Sequence, residues 1–183
     1  MSSTELSTVE RIIHAFDQLG LREVHLVACA SADWADLISQ HSNKLRSFVV
    51  VAPHLNQGIP EAADRVGFPS LVVAGDQGAP AIRAQTLVDR LKGAKLQTLA
   101  DYESPIWADT VADRADEIER VLRDFWDGIE DAGASLAPTF QKSTGELAGI
   151  HYRIEGNGPP VLFLPLSLAP SADRNRSTPP WRP

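Results

Sequence analysis

The sequence predicts an α/β fold, in which a mostly parallel sheet is flanked by helices and followed by a C-terminal β-hairpin. Three short runs of branched, apolar residues lie at 24–28, 46–52 and 69–75. Such runs are typical of strands that are covered on both faces. Amphipathic stretches alternate with them, and strands that alternate with helices pair in parallel through right-handed crossovers.

Four helices are expected, three of them from apolar residues at helical spacing. The residues from Ser7 to Glu10 form a capping box for the first helix, and Gly20 supplies its C-terminal stop. A second helix is expected at about 33–41. Pro80 is expected at the first position of a third helix, which has Ile82 on its apolar side. A long fourth helix follows a weaker strand at 95–99, with Asp113 or Asp116 as its N-cap.

The composition changes near Gly133, where small and polar residues replace the apolar periodicity. Farther on, 150–154 alternates like a half-exposed strand and 161–165 is an apolar strand, with a Gly-Asn-Gly turn between them. We therefore expect a core at 1–130, a linker at 131–148, a hairpin at 149–166 and a disordered tail at 167–183.

Charge and cysteine content narrow the class of protein. The 183 residues include 17 Lys and Arg against 24 Asp and Glu, for a net charge of -7. Nucleic acids and anionic membranes bind basic surfaces, so neither is an expected partner. The single cysteine, Cys29, excludes a disulfide framework. No apolar run is long enough to span a membrane and the amino end has no secretory signal, so we expect a cytoplasmic protein. No metal-ligand spacing or Gly-rich phosphate loop is present, and we expect no cofactor.

Four segments resemble the α/β-hydrolase superfamily. Residues 21–32 are similar to the approach into that family's nucleophile elbow, and 71–76 to the strand that leads to its catalytic acid. Residues 99–109, with the helix that ends at Trp126, resemble its histidine loop and closing helix. Residues 149–165 look like the opening hairpin of the same fold. Only about fifteen residues join the second and third strands, so the resemblance implies a member without a cap domain.

The opening hairpin stands out of order, because in the family it precedes the elbow. A circular permutation, a tandem of two hydrolase copies and a truncated product of such a tandem each explain this order. In the family the third strand lies beside the elbow strand. We therefore expect 161–165 to pair with 24–28, within this chain or across a homo-oligomer or tandem partner at the sheet edge.

The nucleophile position that the resemblance implies holds no nucleophile. The family motif Gly-x-Ser-x-Gly aligns with residues 28–32, which places Ala30 where the serine belongs. A shift of one residue forward makes Ser31 the nucleophile, and a shift backward makes it Cys29. Otherwise Cys29 is a small buried thiol.

The acid and histidine positions are also altered. The acid position falls on Gly78, so that Asp76 either substitutes for it or is a turn residue. The histidine position falls on Ser104 or Glu103. His54 is the one plausible replacement base; otherwise it is an exposed loop residue.

Two functions follow from these substitutions. The first is a catalytically degenerate hydrolase-like domain that binds a small hydrophobic ligand or a partner, or is the remnant of a tandem. The alternative is a small, capless serine or cysteine hydrolase of acyl esters, with Ser31 or Cys29 as nucleophile, His54 as base and Asp76 as its orienter. Under either hypothesis we expect one shallow site at the carboxyl ends of the strands. Its residues would be Cys29, Ala30, Ser31, His54, Asp76 and Ser104.

Overall fold

The computed structural model describes residues 6–28, 33–53, 61–130, 143–156 and 159–164. These residues form a five-stranded parallel sheet of order β4-β3-β2-β1-β7 and a separate antiparallel pair, β5-β6. The strands are β1 Val24–Ala28, β2 Leu45–Val51, β3 Ser70–Gly75, β4 Lys95–Leu99, β5 Ser143–Leu147, β6 Ile150–Ile154 and β7 Val161–Leu164. The helices are α1 Thr8–Leu19, α2 Asp33–His41, α3 Gly78–Arg90 and α4 Trp107–Glu130.

The predicted α/β fold is confirmed, and the sheet is covered on both faces. All described residues of β1 and β3 are buried, as the apolar runs indicated. One face packs against α1, α2 and α3, with Leu26 and Phe48 fully buried among them. The other face packs against α4, with Val27 and Val49 at the centre. Alternate residues of each strand therefore supply two separate cores.

The ends of α1 are formed as the sequence predicts. The Ser7 hydroxyl accepts from the Glu10 backbone N–H at 3.2 Å, and the Glu10 carboxylate accepts from the Ser7 N–H at 2.7 Å. Gly20 closes the helix in the left-handed conformation, with φ 70°. This is the reciprocal capping box that fixes where α1 begins.

The strand after the expected Gly-Asn-Gly turn lies where the family order places it. β7 pairs in parallel with β1, with Val161 opposite His25 and Leu164 opposite Ala28. The prediction that this strand lies beside the elbow strand is confirmed, and the pairing occurs within one chain.

The two strands that form the hairpin are not the two that were predicted. β6 pairs with β5, which lies at 143–147 inside the predicted linker, whereas β7 belongs to the main sheet. The turn is Ala148–Gly149, with φ values of 50° and 73°. Two consecutive positive φ values are the signature of a type I′ hairpin turn. The sequence of β5 is polar because its side chains are mostly exposed, so no apolar alternation reveals it.

Two helix starts also differ. α4 begins at Trp107 and is interrupted at Arg114, whose φ of -131° is not helical. Asp113 is therefore inside the element, where its carboxylate accepts from the Tyr102 hydroxyl at 3.0 Å. α3 begins before Pro80, with Gln77 at its N-cap, and Ile82 is 71% exposed instead of facing the core. None of the helices in the described ranges is both long and apolar enough to cross a membrane.

Candidate functional site

The carboxyl ends of β3 and β4 bring together the loops that resemble the acid and histidine loops. Gly75 pairs with Leu99 at the last register position of the two strands. A Cβ atom at Gly75 would lie 1.9 Å from the carbonyl oxygen of Tyr102, which no side chain permits. Glycine at this position therefore allows the two loops to touch.

Asp76 joins these loops through the backbone. Its carboxylate oxygen Oδ1 accepts from the Tyr102 N–H at 3.2 Å, and its own N–H donates to the Leu99 carbonyl at 3.1 Å. Gln77 continues the contact, since its N–H donates to the Tyr102 carbonyl at 3.2 Å. These bonds make Asp76 part of the structure that holds the two loops in place.

Gly78, at the implied acid position, faces the implied histidine position. A Cβ atom built on Gly78 would lie 3.9 Å from both Cβ and Oε2 of Glu103. The two loops thus meet at the residues that the resemblance aligns. Gly78 has no carboxylate, however, and its φ of 66° suits glycine. The acidic group at this contact belongs to Glu103.

Ser104, the other residue at the histidine position, is held by the start of α4. Its hydroxyl donates to the Asp109 carboxylate at 3.3 Å and accepts from the Ile106 N–H at 3.2 Å. These are the bonds of a local cap, formed between residues two and five positions apart. Both hydrogen bonds of the Ser104 hydroxyl are therefore made within its own loop and the start of α4.

Tyr102 is a residue of this edge that sequence reasoning missed. Its backbone carries the bonds from Asp76 and Gln77, its hydroxyl reaches Asp113, and the Arg114 guanidinium lies 5.5 Å from its ring centre. Two of these four contacts use main-chain atoms, which leave no signal in the local sequence. The partners in the other two, Asp113 and Arg114, belong to α4 and depend on how the chain folds.

The nucleophile half of the expected site lies outside the described residues. β1 ends at Ala28, one residue before Cys29, and β2 ends at Val51. Cys29, Ala30, Ser31 and His54 are not described, so their convergence with Asp76 and Ser104 stays a prediction. Asp76 and Ser104 themselves lie on neighbouring loops at the same edge of the sheet.

The histidines in the described ranges lie away from this edge. His25 is in the first half of β1, only 1% exposed, and its Nδ1 is 2.7 Å from the Ser47 hydroxyl. Its ring also packs on Trp126, with 5.7 Å between centroids. His14 is exposed beside Gln18 on α1 and His41 ends α2. His151 is an exposed residue of β6. Within the same ranges no cluster of three potential metal ligands is found.

The parallel sheet, the order of its strands and the meeting of the β3 and β4 loops define an α/β-hydrolase-like fold. No family model and no curated protein matches the sequence. Several solved structures have a similar fold, among them the following two. An enzyme that degrades N-acyl homoserine lactones has a TM-score of 0.51 at 12% identity, over 64% of this chain and 73% of that one. A protein from Thermoplasma acidophilum, described as a predicted CIB-like hydrolase, has a TM-score of 0.56 at 14% identity, over 68% of this chain. The match spans 64% of the Thermoplasma protein, less than two thirds of its length.

Proposed function

We propose that this chain is a catalytically degenerate hydrolase-like domain that binds a small hydrophobic ligand or a partner. The observation that carries the proposal is the position of Gly78 beside Glu103, since a Cβ atom built on Gly78 would lie 3.9 Å from the Glu103 side chain. A working triad needs a carboxylate and an imidazole in contact at this place, since the carboxylate orients the base. Here the acid position has no side chain, and the residue that faces it is a carboxylate.

The nearby acidic residues are poor substitutes. Glu103 has a carboxylate, which accepts hydrogen bonds but has no ring N–H through which a neighbouring acid could orient it as a triad base. Asp76 already accepts a hydrogen bond from the Tyr102 N–H, so a new role as orienter requires that bond to be shared or broken. The described part of this edge therefore supports binding better than acyl transfer.

Covalent labelling and ester hydrolysis test the loss of catalysis. The full chain is treated with a fluorophosphonate probe and with iodoacetamide, and hydrolysis of p-nitrophenyl acetate and butyrate is followed. We expect no fluorophosphonate adduct, and the same ester hydrolysis rate for the parent chain, Ser31→Ala and Cys29→Ser. A rate that falls at least tenfold in one of these variants, and also in His54→Ala, would instead establish the capless hydrolase.

Ligand-observed NMR tests the binding role. The probes are a short-chain N-acyl homoserine lactone, chosen because one neighbour in fold degrades this class, and p-nitrophenyl butyrate. We expect signal broadening for at least one probe without product formation, and weaker broadening in Glu103→Lys. Exposed Glu23→Lys, just before β1 at the amino end of the sheet, makes the same charge change elsewhere and is the matched control. Absence of any broadening would contradict a small-molecule site at this edge.

A further inference from the structure

The strand β7 lies at an edge of the sheet, but its side chains are apolar like those of an inner strand. Among the described strands, β7 lies at one end of the sheet, with a neighbour on the β1 side alone. Its residues are Val161, Leu162, Phe163 and Leu164, and Phe163 is 56% exposed. An apolar strand with a free edge is a site for pairing with another strand.

The opposite edge of the sheet shows what a solvent-facing strand looks like in this protein. β4 carries Lys95, Gln97 and Thr98, which are exposed or half-buried. Charged and polar side chains are the usual protection of a free edge. β7 has none, so its edge is suited to being covered.

A hydrogen bond to β1 shows which way the backbone N–H and C=O groups of β7 point. The His25 N–H donates to the Pro160 carbonyl at 2.9 Å, so this carbonyl points toward β1. Successive residues of a strand point their N–H and C=O groups to opposite sides. The N–H and C=O groups of Val161 and Phe163 therefore point outward, away from β1.

Two cavities adjoin this edge, and the one beside α4 is strongly apolar. One, of about 470 Å³, lies between α4 and β7 and is lined by Trp107, Ile118, Trp126 and Phe163 among others. The other, of about 520 Å³, lies near the end of α1 and also reaches Phe163. Their charged lining residues have both signs, Glu119 with Arg123 and Asp127 on one side and Arg153 with Glu155 on the other. A surface with charges of both signs does not favour a strongly basic or strongly acidic partner. It is compatible with the same surface on a second copy of this chain.

We propose that two copies of this chain pair through β7, antiparallel about a two-fold axis, to form a continuous ten-stranded sheet. This goes beyond the proposed function, because it needs no ligand at the other edge. With Leu162 opposite Leu162 of the partner subunit, Val161 lies opposite Phe163 of the partner subunit and the reverse. Both residues have outward backbone groups, so each of the two pairs exchanges two hydrogen bonds. The contact is isologous, as in most homodimers.

The same register buries the exposed aromatic side chain. Val161 packs toward the α4 face and Phe163 lines the α4 cavity, so the two side chains meet on one face of the joined sheet. The next possible register, with Phe163 opposite Phe163 of the partner subunit, would place Val161 opposite Pro165 of the partner subunit. Proline has no N–H, so that register loses hydrogen bonds.

The tail of the chain is a weaker candidate for this edge. Residues 165–183 contain Pro165, Pro170, Pro179, Pro180 and Pro183. A segment so rich in proline offers few N–H groups for a ladder. A second β7 supplies both the backbone groups and the apolar side chains.

Light scattering after size-exclusion chromatography tests the proposal on the full chain. The chain mass is 19.9 kDa, so we expect the scattering mass of a dimer, twice that value, across micromolar concentrations. Phe163→Lys should give the monomer mass with an unchanged far-UV circular dichroism spectrum. Ile82→Lys is the matched control, because Ile82 is also exposed but lies on α3, and it should remain dimeric. A parent chain that is monomeric throughout, or a dimer unaffected by Phe163→Lys, would overturn the proposal.

Cysteine cross-linking then tests the register. In a Cys29→Ser background, Leu162→Cys places two thiols at the two-fold axis in a non-hydrogen-bonded pair, where Cα atoms are about 4.5 Å apart. That distance permits a disulfide. Phe163→Cys should cross-link at least tenfold less, since its copies are diagonal at about 7–8 Å. Preferential cross-linking through Phe163→Cys would contradict the Leu162-centred register.

Discussion

Single residues determine how closely the two loops of the candidate site approach. We expect Gly75→Ala to lower the free energy of unfolding by about 2–3 kcal/mol, because the new methyl group would overlap the Tyr102 carbonyl and force the loops apart. Urea unfolding measures this change. Gly67→Ala is the control, since a Cβ atom there has nothing within 4 Å. Equal stability of the two variants would show that the loops are free to separate.

Asp76 offers a way to distinguish a structural carboxylate from a catalytic one. Asp76→Asn keeps an oxygen that can accept from the Tyr102 N–H, whereas Asp76→Ala removes it. We expect Asp76→Ala to lower the free energy of unfolding by about 1–2 kcal/mol and Asp76→Asn to lower it much less. Thermal and urea unfolding are the measurements. If both variants retain full stability, the loop-joining role assigned to this residue is wrong.

At the scale of elements, an exposed ion pair links α3 to the short 3-10 turn Glu61–Arg65. Arg90 binds Asp64 with two nitrogens, at 3.0 and 2.6 Å, and this hydrogen bonding holds the pKa of Asp64 below its ordinary value. A lowered carboxyl pKa stabilises the fold above the ordinary value, near 3.9, and the contribution is lost as the pH falls through the folded pKa.

Arg90→Gln tests this link. We expect the pKa of Asp64, followed by NMR, to rise toward its ordinary value in the variant. The pH dependence of stability below about pH 4 should become shallower, because Asp64 then titrates alike in the folded and unfolded states. Lys44→Gln is the comparison: Lys44 bonds Asp17 and lowers its pKa, so this variant should change Asp17 and leave Asp64 as it was.

The elements also show which parts of the fold the sequence could predict. β1, β2 and β3 are buried on both faces, and such strands have the apolar runs that predicted them. β5 has no such run because it is an exposed strand, whose place depends on the Ala148–Gly149 turn and on contact with α1. The Arg11 guanidinium supplies that contact by donating to the Ala148 and Gly149 carbonyls at 2.7 and 2.6 Å. Bonds to main-chain oxygens between residues more than a hundred positions apart leave no mark on local sequence.

The candidate site was predictable to a similar extent. Parallel neighbouring strands end at one edge, so the meeting of Gly78 with Glu103 follows once β3 and β4 are recognised. The hydrogen bond that Asp76 accepts could not be predicted, since it depends on where the fold places the Tyr102 N–H. The sequence allowed two roles for Asp76, and the hydrogen bond from the Tyr102 N–H supports the structural one.

At the scale of the whole molecule, the C-terminal strands contact both the main sheet and α1. β7 covers β1, and the β5-β6 hairpin is bound to α1 through Arg11. Without them Leu26, Val27 and Ala28, now at most 1% exposed, would lie on an apolar edge strand. These contacts predict one cooperative unfolding transition for residues that are far apart in sequence.

Deletion of residues 143–183 tests this unity. We expect the shortened chain to be less stable by about 2–4 kcal/mol, from the lost burial and pairing along β1, and to aggregate through the exposed strand. The reference is Phe163→Lys, so that any loss of dimerisation is common to both proteins and does not enter the comparison. Deletion of 167–183 alone keeps β7 and should leave urea unfolding unchanged. If the 143–183 deletion unfolds at the same urea concentration as the reference, the C-terminal strands are an accessory to a core that is stable without them.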